Sequence, residues 1–352
     1  MAPTPLAPEA PWLDTAATHR LGLTVESGMA DRVHLPVEVE LALPAGLAAK
    51  PIRAFSLPDN APPRELLAQL DPLGDTGKHR LAFLLREPLQ AQETVNVHVY
   101  LGLPQPPEPL PGAVSTRPDG RGGHWIENDR IRAQLGSEGA HVYRWEVKAA
   151  GKRDLTMPGE RGWAGFSDIN PRRSSAYQLE PRARGPAMVE FQCADAAGHE
   201  KTLRFYGGAS WYEVFLGEPT PLYWDFDDPK NFAADGPTPG TWLFSNGQSG
   251  PVGREAEGVP AQVRAAGSTW GIKFNADKLA LGLITPGTPA VHHVAPGAGA
   301  GGVGIENSPP AQHFVTFAGM LEASPADTML QLQTTLDLKR PVSVRLHALQ
   351  SR

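Results

Sequence analysis

The sequence has almost no cysteine and no long apolar run. Cys193 is the single cysteine among 352 residues, so no intrachain disulfide can form and the redox compartment is left open. No stretch approaches the roughly 18 apolar residues of a membrane-spanning helix. The formal net charge is −6, which gives no electrostatic reason to expect nucleic acid. We therefore predict neither a membrane span nor a nucleic-acid partner.

Signature motifs of several enzyme classes are also absent. The glycine-rich run at 297–302 is not followed by Gly-Lys-Ser/Thr, so it is not a phosphate-binding P-loop. No Gly-x-Ser-x-Gly elbow occurs, which argues against a serine hydrolase, and no His-Glu-x-x-His metal motif is found. We predict no cofactor from these patterns.

The first residues lack the basic region and apolar core of a signal peptide. Their Pro/Ala-rich composition instead resembles the loose segment that often follows a cleavage site. A periplasmic or secreted location is the resulting expectation, with a cytoplasmic start as the alternative.

Proline and glycine are abundant, with 36 and 37 residues. Such a content of helix breakers favours short strands and turns, and the length favours two domains. We predict a flexible lead-in at 1–18 and a small N-terminal domain at 19–102. A proline-rich linker at 103–118 and a larger domain at 119–352 follow.

Alternating apolar and polar residues predict strands in both domains. In the first, the predicted strands are Arg20–Glu26, Val37–Leu43, Ile52–Leu57, Leu81–Leu85 and Val95–Leu101. The stretch Pro63–Leu70 is the one helix-like piece there. In the second, 131–135 and 143–147 alternate around a glycine-rich turn and predict a hairpin. Alternation at Met329–Leu338 and Val342–Leu349 predicts the strands that complete the larger sheet.

The hairpin also carries a family resemblance. Ile-Glu-Asn-Asp-Arg-Ile-Arg-Ala at 126–133 and Arg-Trp-Glu-Val-Lys-Ala-Ala-Gly-Lys at 144–152 resemble the opening of a galactose mutarotase-like β-sandwich. That superfamily includes aldose epimerases and the sandwich domains of polysaccharide lyases and glycosidases. The segment 69–100 resembles a small β-domain that precedes such sandwiches in uncharacterised bacterial proteins. The resemblance implies an all-β protein, with a small N-terminal β-sandwich before a large antiparallel mutarotase-like one, and a carbohydrate ligand. It does not give a reaction.

A basic and aromatic segment follows the hairpin. Arg172 and Arg173 lie close in sequence to Trp163. Guanidinium groups bind carboxylates in a bidentate way, and aromatic faces stack on sugar rings. We therefore predict substrate binding here, with a uronate-type acidic sugar as the ligand. A later aromatic segment adds Trp224, Asp225 and Trp242 to the predicted binding residues. The alternative is a solvated loop with internal ion pairs.

Histidine supplies the strongest catalytic pattern, because it titrates near neutrality. The predicted catalytic residues are Tyr177, His292, His293, Glu306 and His313. In a lyase, Arg172 or Arg173 would neutralise the uronate carboxylate. Tyr177, His292 or His293 would take the C5 proton. Tyr177 or His313 would then protonate the leaving oxygen. Polar loop residues without a catalytic role are the alternative.

Other functions stay open from the sequence. A glycoside hydrolase would place Glu306 with Asp225 or Asp227 across the scissile bond. A sugar epimerase and a non-catalytic carbohydrate-binding protein are further alternatives. The histidines at 292, 293 and 313 also leave a divalent cation open, although their spacing is not diagnostic.

Overall fold

The computed structural model describes residues 11–59, 61–74, 76–156, 166–168, 175–218, 222–225, 229–232, 239–253, 258–295, 302–306, 312–337 and 342–352. For residues 45, 166–168, 222–225 and 229–230 it describes the backbone only. Strands dominate these residues, and the α-helices among them are short: α1 (Ala45–Ala48), α2 (Pro229–Phe232) and α3 (Pro325–Thr335). The predicted all-β class is confirmed.

The N-terminal part forms a small sandwich of two antiparallel sheets. Its strands are β1 (His19–Glu26), β2 (Leu35–Ala42), β3 (Arg53–Leu57), β4 (Arg64–Leu66), β5 (Ala68–Pro72), β6 (Lys78–Leu85) and β7 (Thr94–Leu101). One sheet has the order β2-β6-β5, and the other contains β1, β7, β3 and β4. Alternate residues of the strands, such as Leu23, Val37, Phe83 and Val97, fill the space between the sheets.

A second, larger sandwich follows. Its strands are β8 (Ser115–Pro118), β9 (His124–Glu127), β10 (Ile131–Leu135), β11 (Val142–Val147), β12 (Arg153–Asp154), β13 (Phe166–Asp168), β14 (Tyr177–Arg184), β15 (Met188–Asp195), β16 (Glu200–Tyr206), β17 (Trp211–Leu216), β18 (Leu222–Asp225), β19 (Gly240–Phe244), β20 (Ser249–Pro251), β21 (Val263–Ser268), β22 (Trp270–Asn275), β23 (Leu279–Ile284), β24 (Ala290–Val294), β25 (Val303–Glu306) and β26 (His313–Met320). One sheet has the order β21-β24-β25-β18-β13-β11-β10-β9-β8, with β12 beside β11. The nine-stranded sheet has the order β14-β15-β16-β17-β26-β23-β22-β19-β20.

The predicted hairpin is present as β10 and β11. Ala133 pairs with Trp145 and Ile131 with Val147, so the apolar residues of both strands share the buried face. Trp145 is fully buried and packs against Tyr212, with ring centroids 5.4 Å apart. Its indole nitrogen donates a hydrogen bond of 2.8 Å to the Ala318 carbonyl across the sandwich. The hairpin is therefore fastened to the opposite sheet by packing and by one directional bond.

The central strands of the nine-stranded sheet are covered on both faces. Its inner face packs on the opposite sheet of the large sandwich. On its outer face, Trp211 and Phe317 belong to one apolar cluster with Leu84 of the N-terminal sandwich and Leu332 of α3. Burial on both faces explains why Leu279–Ile284 is a continuous apolar run instead of an alternating one. The chain thus builds stacked β-layers, with the outer face of the nine-stranded sheet as an internal interface.

Two predictions of secondary structure are wrong, and the final predicted strand belongs to a different sheet from the one expected. Pro63–Leu70 is not helical, since it contributes to β4 and β5. Met329–Leu338 falls largely in α3, which begins after the N-cap Ser324 and places Met329, Leu332 and Leu336 at helical spacing. The final strand, β27 (Ser343–Ser351), pairs with β1 in the small sandwich and does not extend the large one. The division at 103–118 itself stays a prediction.

Replacing Trp145 with Phe should lower the free energy of unfolding by about 1–3 kcal/mol, because the Ala318 carbonyl then loses a buried donor. Urea unfolding followed by circular dichroism measures the change. The control is Trp125→Phe, since Trp125 is only half-buried, beneath the Arg132 guanidinium. Equal losses in the two variants would contradict the role given to the Trp145 hydrogen bond.

Candidate functional site

The paired histidines of β24 lie in the protein interior. Neither imidazole has solvent-exposed surface. His292 Nδ1 donates to the Ser268 carbonyl at 3.1 Å, and the Gln262 amide donates to His293 Nδ1 at 2.6 Å. Burial lowers the pKa of His292 to about 3 and that of His293 to about 4. Both rings are therefore neutral at neutral pH and closed off from a dissolved substrate.

Strand register places several predicted residues on neighbouring strands. Glu306 of β25 pairs with Val291 of β24 on one side and with Leu222 of β18 on the other. The half-buried Glu306 carboxylate forms a 2.8 Å ion pair with Arg264. The backbones of Trp224 and Asp225 lie in β18. The predicted binding residues Trp163, Arg172 and Arg173 lie outside the described residues.

Tyr177 and Trp242 are core residues of the large sandwich. Both side chains are buried. The Lys201 ammonium lies 4.9 Å from the centre of the Tyr177 ring, and Trp242 donates a 3.1 Å hydrogen bond to the Pro251 carbonyl. Tyr177 lies in the first strand and Trp242 in the eighth strand of the nine-stranded sheet, whereas His313 lies in the fifth and the paired histidines lie in the opposite sheet.

His313 is the predicted residue with the most distinctive surroundings. It opens β26, where its ring stacks on Phe215 of β17 at a centroid distance of 4.4 Å. Its Nε2 lies 2.7 Å from Oε1 of Glu213. The imidazole is 13% exposed, whereas the Glu213 side chain is only 5% exposed. A buried carboxylate thus holds a histidine that still reaches solvent.

Glu213 is held from its other side by Tyr206, whose hydroxyl donates a short hydrogen bond to Oε2. Burial alone would raise the pKa of Glu213, but the bond and charge of His313, the Tyr206 bond and the charge of Arg204 keep it below its usual value. Burial and the charge of Glu213 raise the pKa of Tyr206 well above its usual value. At neutral pH the pair is therefore a carboxylate and a neutral phenol.

An ion network continues from this pair to the N-terminal sandwich. Arg204 donates to Glu190 at 2.6 Å and to Glu38 at 2.9 Å. Arg80 makes two bonds to Glu190, of 2.8 and 3.0 Å. Arg80 and Glu38 come from the small sandwich, whereas Arg204 and Glu190 come from the nine-stranded sheet. Each arginine is thus already balanced by carboxylates.

A cavity of about 200 Å³ lies above Glu213, between the small sandwich, the nine-stranded sheet and the end of α3. Its lining includes Glu38, Arg204, Tyr206, Glu213, Phe215 and Asp337. His313 stacks on the lining residue Phe215 and so stands beside this space.

The geometry equips His313 for proton transfer. Its Nε2–H donates to Glu213, so in the neutral ring the lone pair is on Nδ1. A carboxylate on the far nitrogen fixes the tautomer and stabilises the imidazolium that forms when Nδ1 takes a proton. We call Tyr206, Glu213 and His313 the proton-transfer group.

Sequence reasoning found His313 but missed Glu213 and Tyr206. A signal was present, because Glu213 is a lone charge inside the apolar strand Trp211–Leu216. A charge in such a strand is normally paired when it is buried. Its partner could not be named, since His313 is 100 residues further along the chain.

Neither a metal cluster nor a membrane helix is found in the described part of the chain. No three His, Cys, Asp or Glu side chains there are close enough to hold a metal ion. No helix among the described residues is both long enough and apolar enough to cross a membrane.

Comparisons with known proteins support the fold and leave the family open. No family model matches the sequence, and no curated protein is significantly similar to it. Among solved structures, the chain is similar to a protein in the glycosyl hydrolase family 38 from Enterococcus faecalis. The TM-score is 0.50 at 9% identity, over 95% of this chain and 49% of that one. The chain therefore spans about half the length of that neighbour.

Weaker likenesses accompany it. A galactose mutarotase-like protein from Lactobacillus casei has a TM-score of 0.37 at 12% identity, over 65% of this chain and 99% of that one. The protein HI1317 has a TM-score of 0.37 at 9% identity, over 59% of this chain and 99% of that one. At such identities the likeness to the family 38 protein shows the fold alone. It supports the β-sandwich architecture.

Burial of His292 should make folding sensitive to acid. Its folded pKa of about 3 lies below the ordinary value of 6.5, so between these values the unfolded chain binds a proton that the folded chain does not. The contribution of the buried, neutral His292 to the free energy of unfolding is intact above pH 6.5. It is lost as the pH falls towards 3, by about 1.4 kcal/mol per pH unit.

In the variant His292→Leu, unfolding should take up about one proton fewer below pH 6.5. The unfolding free energy should therefore depend less steeply on pH there. Urea unfolding across this range measures the slope, and unfolding at higher pH is the internal control. A slope equal to that of the wild type would contradict the assignment of a buried, neutral His292.

Proposed function

We propose that this protein is a carbohydrate-active enzyme that transfers a proton at a ring carbon of an acidic sugar, most directly a lyase acting by β-elimination. The observation that carries the proposal is the 2.7 Å contact between the partly exposed imidazole of His313 and the buried carboxylate of Glu213. The β-sandwich likeness to a glycosyl hydrolase family 38 protein supports carbohydrate as the substrate class.

The elimination needs a single base within reach of the C5 proton. His313 Nδ1 takes the C5 proton of a uronate, and the C–H electrons form the C4=C5 double bond. The C4–O bond breaks, and the imidazolium returns its proton to the leaving oxygen. Glu213 stabilises the imidazolium between these events, because it stays ionised.

Tyr206 has a supporting role in this proposal. Its ring is almost completely buried and its hydroxyl is committed to Glu213, so it orients the carboxylate and does not contact substrate. Neutralisation of the substrate carboxylate cannot come from Arg80 or Arg204, since both are bound to glutamates. In the sequence-based proposal Arg172 and Arg173 have this role.

Hydrolysis is less well supported by the described carboxylates. A hydrolase uses two carboxyl groups on either side of the scissile bond. Near the cavity, Glu38 is paired with arginines, and elsewhere Glu306 is paired with Arg264. Reducing-end release distinguishes hydrolysis from elimination when it occurs without an unsaturated product.

His313→Gln should lower the rate of elimination at least ~100-fold, because general acid–base catalysis contributes about 10²–10⁴ in rate. Glu213→Gln should lower it less, since the base survives without its counter-charge. Ultraviolet absorbance of the unsaturated uronate, read on a panel of uronate-containing and neutral polysaccharides, measures the rate.

The matched control is His199→Gln. His199 also pairs with a carboxylate, Asp195 at 2.8 Å, but it lies in the turn between β15 and β16. It should retain wild-type activity. Full activity in His313→Gln, or reducing ends without absorbance in the wild type, would contradict the proposed lyase.

A further inference from the structure

A second cavity of about 200 Å³ lies on the same outer face of the nine-stranded sheet. Its lining includes His34, Arg86, Arg130, Trp211, Phe317 and Glu322. Trp211 and Glu213 are two residues apart on β17 and face the same way, which separates them by about 7 Å. This second cavity therefore lies about two strand residues from Glu213 and about four from His313.

Arg86 brings an uncommitted guanidinium to this cavity. One nitrogen, Nη2, donates to the Pro111 carbonyl at 2.6 Å. In the part of the chain that the structure describes, no carboxylate lies within ion-pair distance of Arg86. This contrasts with Arg80 and Arg204, each of which is bound to glutamates. A guanidinium without a carboxylate retains donors for an oxyanion.

Arg130 supplies a second guanidinium on the rim. Its partner is Glu322, and both side chains are exposed, at 41% and 73%. Ion pairs exposed to this degree contribute little, so an incoming anion can compete for Arg130. The exposed Asp129 also lies nearby and partly offsets the two cations.

His34 is held in an unusual conformation at the same place. Its φ is 55°, in the left-handed region that residues other than glycine seldom adopt. Its Nε2–H donates to the Gly207 carbonyl at 2.8 Å, so in the neutral ring the lone pair is on Nδ1. Burial, with the charges of Arg86 and Arg130, lowers its pKa to about 4. Neutral His34 can accept a hydrogen bond from a sugar hydroxyl.

Gly208 keeps the space between these groups open. Its φ is 66°, and a Cβ there would lie 3.2 Å from Arg86 Nη2 and 3.3 Å from His34 Cε1. Any larger residue would enter the gap between the guanidinium and the imidazole.

We propose that this cavity binds the anionic group of a sugar unit of the substrate other than the reacting one, with Arg86 and Arg130 as oxyanion donors and His34 as a hydroxyl acceptor. The inference rests on the proposed function, which it deepens by assigning a described site for an acidic group on a flanking sugar. The shared chemistry is a sugar oxyanion, which a uronate carboxylate or a sulfate ester could supply.

Calorimetric binding to the full chain tests the inference, with oligogalacturonate as the first probe. A carboxyl-reduced oligogalacturonate is the neutral match, and a sulfated galactose oligosaccharide is the alternative anion. Arg86→Gln should weaken binding of the acidic ligand at least ~10-fold, since charge-assisted hydrogen bonds are the strong ones. Arg130→Gln should weaken it less. Arg182→Gln is the matched control, because Arg182 is an exposed arginine on β14.

The outcomes separate this inference from the proposed lyase. Binding of an acidic ligand should be preserved in His313→Gln, which removes only the proposed base. Acidic-ligand binding that is unchanged in both Arg86→Gln and Arg130→Gln, or absent from the wild type, overturns the inference whatever the activity. Arginine-dependent binding without an unsaturated product overturns the lyase and keeps the anion site. If Arg86→Gln and Arg130→Gln weaken binding of the sulfated ligand alone, the anion site is supported and its ligand is a sulfate ester.

Discussion

The ion network between the two sandwiches, with Arg80 and Glu190 buried and Arg204 and Glu38 partly buried, is the interaction on which the architecture depends. Arg80 and Glu38 of the small sandwich meet Arg204 and Glu190 of the nine-stranded sheet. Buried charges are costly unless they are paired, and removal of one partner leaves the other uncompensated. Few other dockings of the small sandwich would satisfy all four charges. The network therefore fixes the relative position of the two sandwiches, and with it the cavities at their interface.

This constraint also explains where the candidate chemistry lies. A strand buried on both faces should be apolar throughout, as Leu279–Ile284 of β23 is. Exceptions come together at Glu213 of β17, which has His313 of β26 and Arg204 of β16 beside it. Its carboxylate receives Tyr206 and His313, which satisfies the charge and orients the imidazole. The same arrangement that makes burial tolerable thus prepares a base.

Elements set by local sequence patterns could be predicted, whereas pairings between distant parts of the chain could not. Local alternation predicted the hairpin at 131–147, because both strands have one buried face. Alternation failed at Met329–Leu338, where the N-cap Ser324 and the spacing of Met329 and Leu332 were the better guide to α3. It could not show that β27 returns to β1, since that pairing joins opposite ends of the chain.

The site was harder to predict than the fold. Residue type alone selected His292 and His293, but it does not report burial, and both rings are enclosed. Residue type also selected His313, whose role depends on a partner in a strand 100 residues away. The charges inside β15, β16 and β17 were visible in the sequence, yet their mutual pairing required the sheet order.

Proton abstraction by His313 is the central claim, and exchange with solvent tests it most directly. Proton nuclear magnetic resonance of an acidic oligosaccharide incubated with the protein in D₂O would follow the C5–H signal. The account predicts that the wild type converts this signal into that of an unsaturated product, or exchanges it for deuterium, and that His313→Gln does neither. Chain cleavage with the C5–H signal retained, or equal loss of the signal with His313→Gln, would contradict it.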